Sequence, residues 1–256
     1  MMAPVQFFRS FLALLIAFPL TILVSLLALI DLNFFRKSKQ KAHAFPRAWG
    51  RILCRIVGVN VRIEGLENIR PDQTYIFVAN HSSQFDIFSW QGYFPYNFRW
   101  IAKKELFSIP FFGRAMKQVG YIPIDRSKGR QALKSLDQAA KQIATGSSVL
   151  IFPEGTRTPN GRLQEFKTGA IMLAIKSGVP VVPIGFNGSY PVLPKGRLLP
   201  RPGNITIRIG IPEETSHYNA KDKQALALSL HSAVESLLDA PYRSEAEPHS
   251  SDDPGK

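Results

Sequence analysis

Apolar residues follow three regimes along the chain. The first is a block: Phe11 to Ile30, FLALLIAFPLTILVSLLALI, runs twenty residues without a charge. A straight helix of that length spans roughly 30 Å, about one hydrocarbon core. A secretory signal fits poorly, because the apolar run is too long and no A-x-A-like cleavage site follows it. A spanning helix fits, and so does a helix broken at Pro19 that enters one leaflet and returns. The pattern alone does not separate the two. The second regime, Ala44 to Val59, is apolar but interrupted by Trp49, Arg51 and Arg55, which suits a helix lying at an interface.

From Val59 onward the period shortens. VNVRIEG alternates like a half-exposed strand. TYIFVAN, FRWIA, YIPI, SSVLIFPEG, PVVPIGFNG and NITIRIG are short β-branched or aromatic runs that stop at turn residues. Helical patterns lie between them: QFDIFSWQGYF, GRQALKSLDQAAKQIATG and GAIMLAIKSG, the last two closed by glycine, and a final helix over about Ala220–Asp239. Strand–helix alternation with apolar strands predicts an α/β fold, a mostly parallel or mixed sheet covered by helices. Ahead of it stands an N-terminal membrane-associated helical anchor. The expected division is an anchor with a basic linker over 1–43, a domain with a leading interfacial helix over 44–240, and a disordered polar tail over 241–256.

Charge sharpens this picture. The net charge is +13, and five acids against two bases from Asp239 onward leave +16 on residues 1–238. Such a field attracts anions: nucleic acid, an acidic membrane surface or phosphorylated small molecules. Arg9 precedes the apolar block, whereas Arg36, Lys37, Lys39 and Lys41 follow it, which places the bulk of the protein on the cytoplasmic face. Cys54 is the single cysteine, so no intramolecular disulfide forms, and the five histidines show no metal-ligand spacing. The chain has no recognisable nucleic-acid module and no G-x-S-x-G stretch, which argues against a nucleic-acid binder and a serine hydrolase.

The candidate chemistry lies where strands end. TYIFVAN runs into NHSSQFD, putting His81 at the C-terminal edge of a strand, where ligands collect in α/β sheets. Residues five apart in one helix cannot meet, so His81 reaches Asp86 only if His81 precedes the helix and Asp86 lies in its first turn. Ser83-x-x-Asp86 also reads as a capping box, which would make Asp86 only a cap partner. GYIPIDRSKGR delivers Asp125 and Arg126 to a strand end, either as surface charges or with Arg126 aimed at an anion. FPEGTRTPNGR delivers Glu154, Gly155, Thr156 and Arg157; the glycine permits N–H groups to converge on an oxyanion, and Arg157 offers a fork suited to phosphate. Glu154 would hydrogen-bond a hydroxyl or pair with an arginine. PVVPIGFNG reads as a core strand. Lys103 and Lys104 just past a strand, and Lys167 at a helix start, each read alone as a solvated charge.

With Asn80–Asp86, Gly120–Arg126, Phe152–Arg157 and Val182–Ile184 in this order, the chain resembles the lysophosphatidic acid acyltransferase family over roughly residues 59–212. The resemblance implies transfer of an acyl group from acyl-CoA or acyl carrier protein to the sn-2 hydroxyl of a lysophospholipid, lysophosphatidic acid, giving phosphatidic acid. It implies His81 as general base and Asp86 as its partner, with Arg126, Arg157 and Lys103 as acceptor-phosphate ligands. Glu154, Gly155, Thr156 and Lys167 complete the expected substrate-binding set. No metal or bound cofactor is implied, and the partners are membrane lipids and the two substrates, with no nucleic acid. The alternatives are the same chemistry on glycerol-3-phosphate or a lyso-ornithine lipid, and a non-enzymatic membrane scaffold.

Overall fold

The computed structural model describes residues 4–34, 44–125 and 130–244. A helix α1, Pro4–Phe34, and a helix α2, Ala44–Val57, precede the sheet. The strands are β1 Val59–Glu64, β2 Ile76–Ala79, β3 Arg99–Lys103, β4 Ile122–Ile124, β5 Val149–Ile151, β6 Val181–Asn187 and β7 Gly203–Ile209. The helices between and after them are α3 Phe85–Tyr93, α4 Phe112–Val119, α5 Arg130–Ala144, α6 Thr168–Ser177, the short α7 Ser189–Val192, and α8 Lys223–Ser236.

The sheet order is β1-β7-β6-β2-β5-β3-β4. All neighbours pair in parallel except β6 with β7, so the sheet is mixed, as the strand pattern predicts. Both faces are covered. Phe77 and Ala79 of β2 pack with Trp90, Phe94 and Phe186 on one side. Ile76 and Val78, pointing the other way as strand periodicity requires, pack with Ile143, Ile171 and Leu230 on the other. Cys54 lies in the first of these cores, and burial pushes its thiol up to about 12, so it is inert packing.

Helices α2 and α3 approach at two glycines. A Cβ on Gly50 would stand 2.6 Å from the Phe88 carbonyl oxygen, and one on Gly92 would stand 2.7 Å from the Arg51 nitrogen. Only glycines permit this approach, and it sets the position of α3, which carries Asp86.

Helix α1 differs from the broken, re-entrant form of the expected anchor. It continues through Pro19 without a break. Nor does it project from the domain. Near its start, the Arg9 guanidinium donates to the carbonyls of Arg55 and Ile56 at the end of α2, and Ser10 Oγ donates to the Pro200 carbonyl. Midway, Trp49 Nε1 donates to Thr21 Oγ1, and near its end Gln118 Nε2 of α4 donates to Asn33 Oδ1. Its outward row, including Phe8, Phe11, Leu15, Phe18, Leu23 and Phe34, is exposed and apolar. The helix is long and apolar enough to cross a membrane.

Two further differences concern PFFGRAMKQV, which contains a whole helix, α4, that the sequence pattern does not predict, and the C-terminal boundary. Residues 240–242 form a 3-10 turn, and the Tyr242 carbonyl accepts from Leu163 N–H. The chain is therefore seated past Pro241, the start of the expected tail; residues 245–256 and the basic linker 35–43 lie outside the described residues.

Candidate active site

Strand β2 delivers the histidine, and neighbouring backbone fixes it from every side. Asn80 pairs with β6 as a strand residue would: its Nδ2 donates to the Phe186 carbonyl at 3.0 Å and its Oδ1 accepts from Phe186 N–H at 2.7 Å. The His81 N–H donates to Glu154 Oε1 at 2.6 Å, and the His81 carbonyl accepts from Thr158 N–H at 2.8 Å. The imidazole stacks on the Phe152 ring, with centroids 3.9 Å apart and planes 12° apart.

Asp86 closes the arrangement. Its Oδ2 lies 2.8 Å from His81 Nδ1 and accepts the N–H groups of Ser82 and Ser83, each at 2.8 Å. The side chain is fully buried. An oxygen taking two N–H bonds is an acceptor, so the imidazole proton sits on Nδ1 and Nε2 carries the lone pair. Helix α3 is capped at Gln84 with no side-chain cap bond, so the expected Ser83–Asp86 capping box does not form; Asp86 instead anchors the turn before α3 and orients His81 with the same atom. The Ser83 hydroxyl accepts from Phe85 N–H and donates to the Leu193 carbonyl, and Ser82 Oγ pairs with Ser189 Oγ. Neither serine is free to act as a nucleophile.

Strand β5 delivers the second wall. Gly155, at φ +78°, turns the chain, and its own N–H donates to the Phe152 carbonyl at 3.0 Å. That closes the turn and removes the N–H that the sequence suggested for an oxyanion. The next two N–H groups, of Thr156 and Arg157, donate to no protein group among the described residues.

Glu154 points away from the cavity and meets neither a substrate-facing surface nor an arginine, contrary to both sequence expectations. Its second oxygen accepts from Gln164 Nε2 at 2.7 Å. Burial pushes its carboxyl up to about 8, the Asp86 charge adding to this and the bonds from His81 and Gln164 opposing it.

His81, Lys103, Thr156 and Arg157 share the border of one cavity of about 570 Å³. The remainder of its lining is mostly apolar: Val24 and Ala28 of α1, Ile87 and Phe88 of α3, Phe112 and Met116 of α4, among others. Polar, cationic groups therefore stand at one part of a hydrocarbon-lined space.

The Acyltransferase family profile matches residues 60–187 of this chain. The chain belongs to the acyltransferase family. It is similar to a 1-acyl-sn-glycerol-3-phosphate acyltransferase of Chlamydomonas reinhardtii, 34% identical over 84% of this chain and 66% of that protein. A protein of the same description from Pseudomonas aeruginosa is 40% identical over 62% of this chain and 61% of its own length. The matched part is thus just under two thirds of each of these relatives. The crystal structure of the 1-acyl-sn-glycerophosphate (LPA) acyltransferase PlsC from Thermotoga maritima superposes with a TM-score of 0.66 at 27% identity, covering 88% of this chain and 97% of that one.

In this acyltransferase the expected site residues divide. His81, Asp86, Lys103, Gly155, Thr156 and Arg157 come together. Lys103, which ends β3, borders the cavity, whereas Lys104 turns to Asp125 Oδ2 at 2.6 Å. Lys167 is an exposed helix-start residue whose Nζ lies against Gly155; it supports the turn and does not border the cavity. Arg126 lies outside the described residues. Val182–Ile184 is buried core strand. Sequence reasoning missed Lys195, whose Nζ donates to Thr156 Oγ1 at 3.3 Å from the α7–β7 loop. It also missed Gln164, whose only signal was its position ten residues after Glu154.

Proposed function

We propose that this acyltransferase moves a fatty acyl group from a thioester, acyl-CoA or acyl carrier protein, to the sn-2 hydroxyl of lysophosphatidic acid, giving phosphatidic acid. The observation that carries the reading is the oriented His81–Asp86 pair on the border of a cavity with cations at one part and apolar walls elsewhere. The descriptions of its relatives favour this acceptor. His81 Nε2 takes the hydroxyl proton as the oxygen attacks the thioester carbonyl, and Asp86 stabilises the imidazolium that forms. The Thr156 and Arg157 N–H groups face the developing oxyanion or the acceptor phosphate. Lys103, Arg157 and Arg126 hold that phosphate, and Lys195 reaches the site only through the Thr156 hydroxyl. Collapse of the tetrahedral intermediate expels the carrier thiolate, and the Nε2 proton neutralises it. An activated thioester needs neither ATP nor a metal.

We place α1, which is held to the domain near both ends, along the membrane with its outer apolar row in one leaflet, and the catalytic domain on the cytoplasmic face. Purified enzyme incubated with labelled acyl-CoA and a panel of lysophosphatidate, glycerol-3-phosphate and lysophosphatidylcholine tests the acceptor. Phosphatidic acid identified by mass spectrometry as the dominant product is the expected result. Transfer to glycerol-3-phosphate alone would overturn the acceptor assignment.

A further inference from the structure

The apolar part of the cavity holds a buried amide that has nothing to donate to. Gln84, Ile87, Phe88 and Gln91 all border the cavity, one stripe along α3 at helical spacing. Gln91 is only 2% exposed. Its Oε1 accepts from Trp100 Nε1 at 2.7 Å and from the Tyr121 hydroxyl at 3.0 Å. An indole N–H only donates, so the amide oxygen must face Trp100 and the NH₂ must face elsewhere. That NH₂ donates to no protein group among the described residues. Other hydroxyls on the α1 side of the cavity are spent: Thr21 donates to the Ala17 carbonyl and accepts from Trp49, and Ser25 donates to the Thr21 carbonyl. A plain hydrocarbon chain in this space leaves the amide unpaired in a low-dielectric surrounding, an arrangement folded proteins avoid.

We propose that the Gln91 amide is a subsite for an oxygen on the acyl chain, so that this cavity takes long acyl chains carrying a hydroxyl or oxo group near their middle. The inference rests on the acyl-transfer reading above and names its substrate class. Depth sets the position. Gln84 follows the catalytic loop directly, and seven residues of helix place Gln91 about 10 Å farther along. An extended chain covers about 3.5 Å per three bonds, so the oxygen belongs about nine bonds beyond the level of Gln84. Oxygen near the carboxyl end or the methyl end does not reach the amide.

The test uses the full chain in non-ionic detergent. A saturated acyl-CoA competes against isomers of the same chain bearing an oxo or hydroxyl group near the carboxyl, at mid-chain or near the methyl end, with lysophosphatidate as acceptor. A second arm keeps the donor saturated and moves the oxygen to the acceptor's own chain. Mid-chain isomers are expected to outcompete the saturated parent by about tenfold, with no such gain for the end isomers. In Gln91→Met the preference should reverse, because the oxygen then loses its water and gains no partner. A preference confined to the second arm supports the same subsite and assigns the cavity to the acceptor's chain. A saturated chain that wins at every position, or a mid-chain preference that survives Gln91→Met, overturns the subsite. Should Gln91→Met fail to fold once Trp100 and Tyr121 lose their acceptor, the positional comparison in the unaltered enzyme decides. Absence of product from every chain in both arms overturns acyl transfer itself.

Discussion

The backbone N–H of His81 donates to the buried carboxyl of Glu154 at 2.6 Å, so His81 and the turn after β5 are locked together. On the proposed mechanism Glu154 acts as a positioning residue. Glu154→Ala leaves a buried N–H unpaired and lets His81 shift; kcat is expected to fall by about tenfold or more, with a smaller effect on KM. Glu154→Gln keeps an acceptor for His81 but turns an NH₂ toward Gln164, whose amide must flip, so the loss should be milder. Steady-state kinetics of the two variants separates positioning from general loss of fold.

The same carboxyl predicts a pH dependence. Its pKa is raised by burial to about 8 in the folded protein. A folded pKa above the unfolded one means that the folded state holds its proton more tightly. Its contribution to stability is therefore complete below the ordinary carboxylate range and is lost as pH rises toward about 8. Melting temperature followed across this window should fall more steeply for the unaltered protein than for Glu154→Gln. Parallel curves would remove Glu154 as the titrating group.

Removal of His81, the proposed base, is the sharpest test of mechanism. His81→Ala should lose about 10²–10⁴ in rate while still binding membranes. Asp86→Asn should lose both turnover and stability, because Oδ2 serves the imidazole and two backbone N–H groups at once; the stability loss is about 1–3 kcal/mol. A stable Asp86→Asn enzyme with normal turnover would show that the cap function is all the residue does.

The phosphate site is tested by substitution of Arg157. Arg157→Ala should lower kcat/KM on lysophosphatidate by about tenfold to a hundredfold, and Arg157→Lys should recover only part, since the planar fork is lost. Lys195→Ala should give a smaller loss, since Lys195 reaches the site only through the Thr156 hydroxyl. Unchanged efficiency in Arg157→Ala places the phosphate elsewhere.

Two roles of α1 separate by substitution. Phe18→Asp, on the exposed row, should weaken pelleting with membranes and leave turnover in detergent near normal. Deletion of residues 1–43 also removes Val24 and Ala28 from the cavity wall and should abolish turnover even in detergent. Salt washing alone should not strip the intact protein from membranes.

How much of this was legible in sequence follows physical lines. Strand ends were legible, because apolar β-branched runs stopped at turn residues, and this placed His81, Lys103 and Gly155 on one edge of the sheet. The role of Asp86 was ambiguous because the same oxygen holds the turn before α3 and orients the imidazole. Helix α4 was hidden because it is only eight residues long, with Pro110 just before it and Gly113 in its first turn. The seating of α1 was hidden because a helix that is apolar all round does not announce which side faces protein. Glu154 misled because a carboxylate in a motif reads as a ligand, whereas its partners are a backbone N–H and an amide far along the chain.

The wall that α1 contributes is one helix thick, with exposed apolar residues on its outside and the cavity on its inside. On the proposed reading, substrate arrives by lateral diffusion, and its effective concentration is a mole fraction in the bilayer. Diluting lysophosphatidate with inert lipid at constant molarity should slow the reaction, whereas doubling the water at constant lipid composition should not.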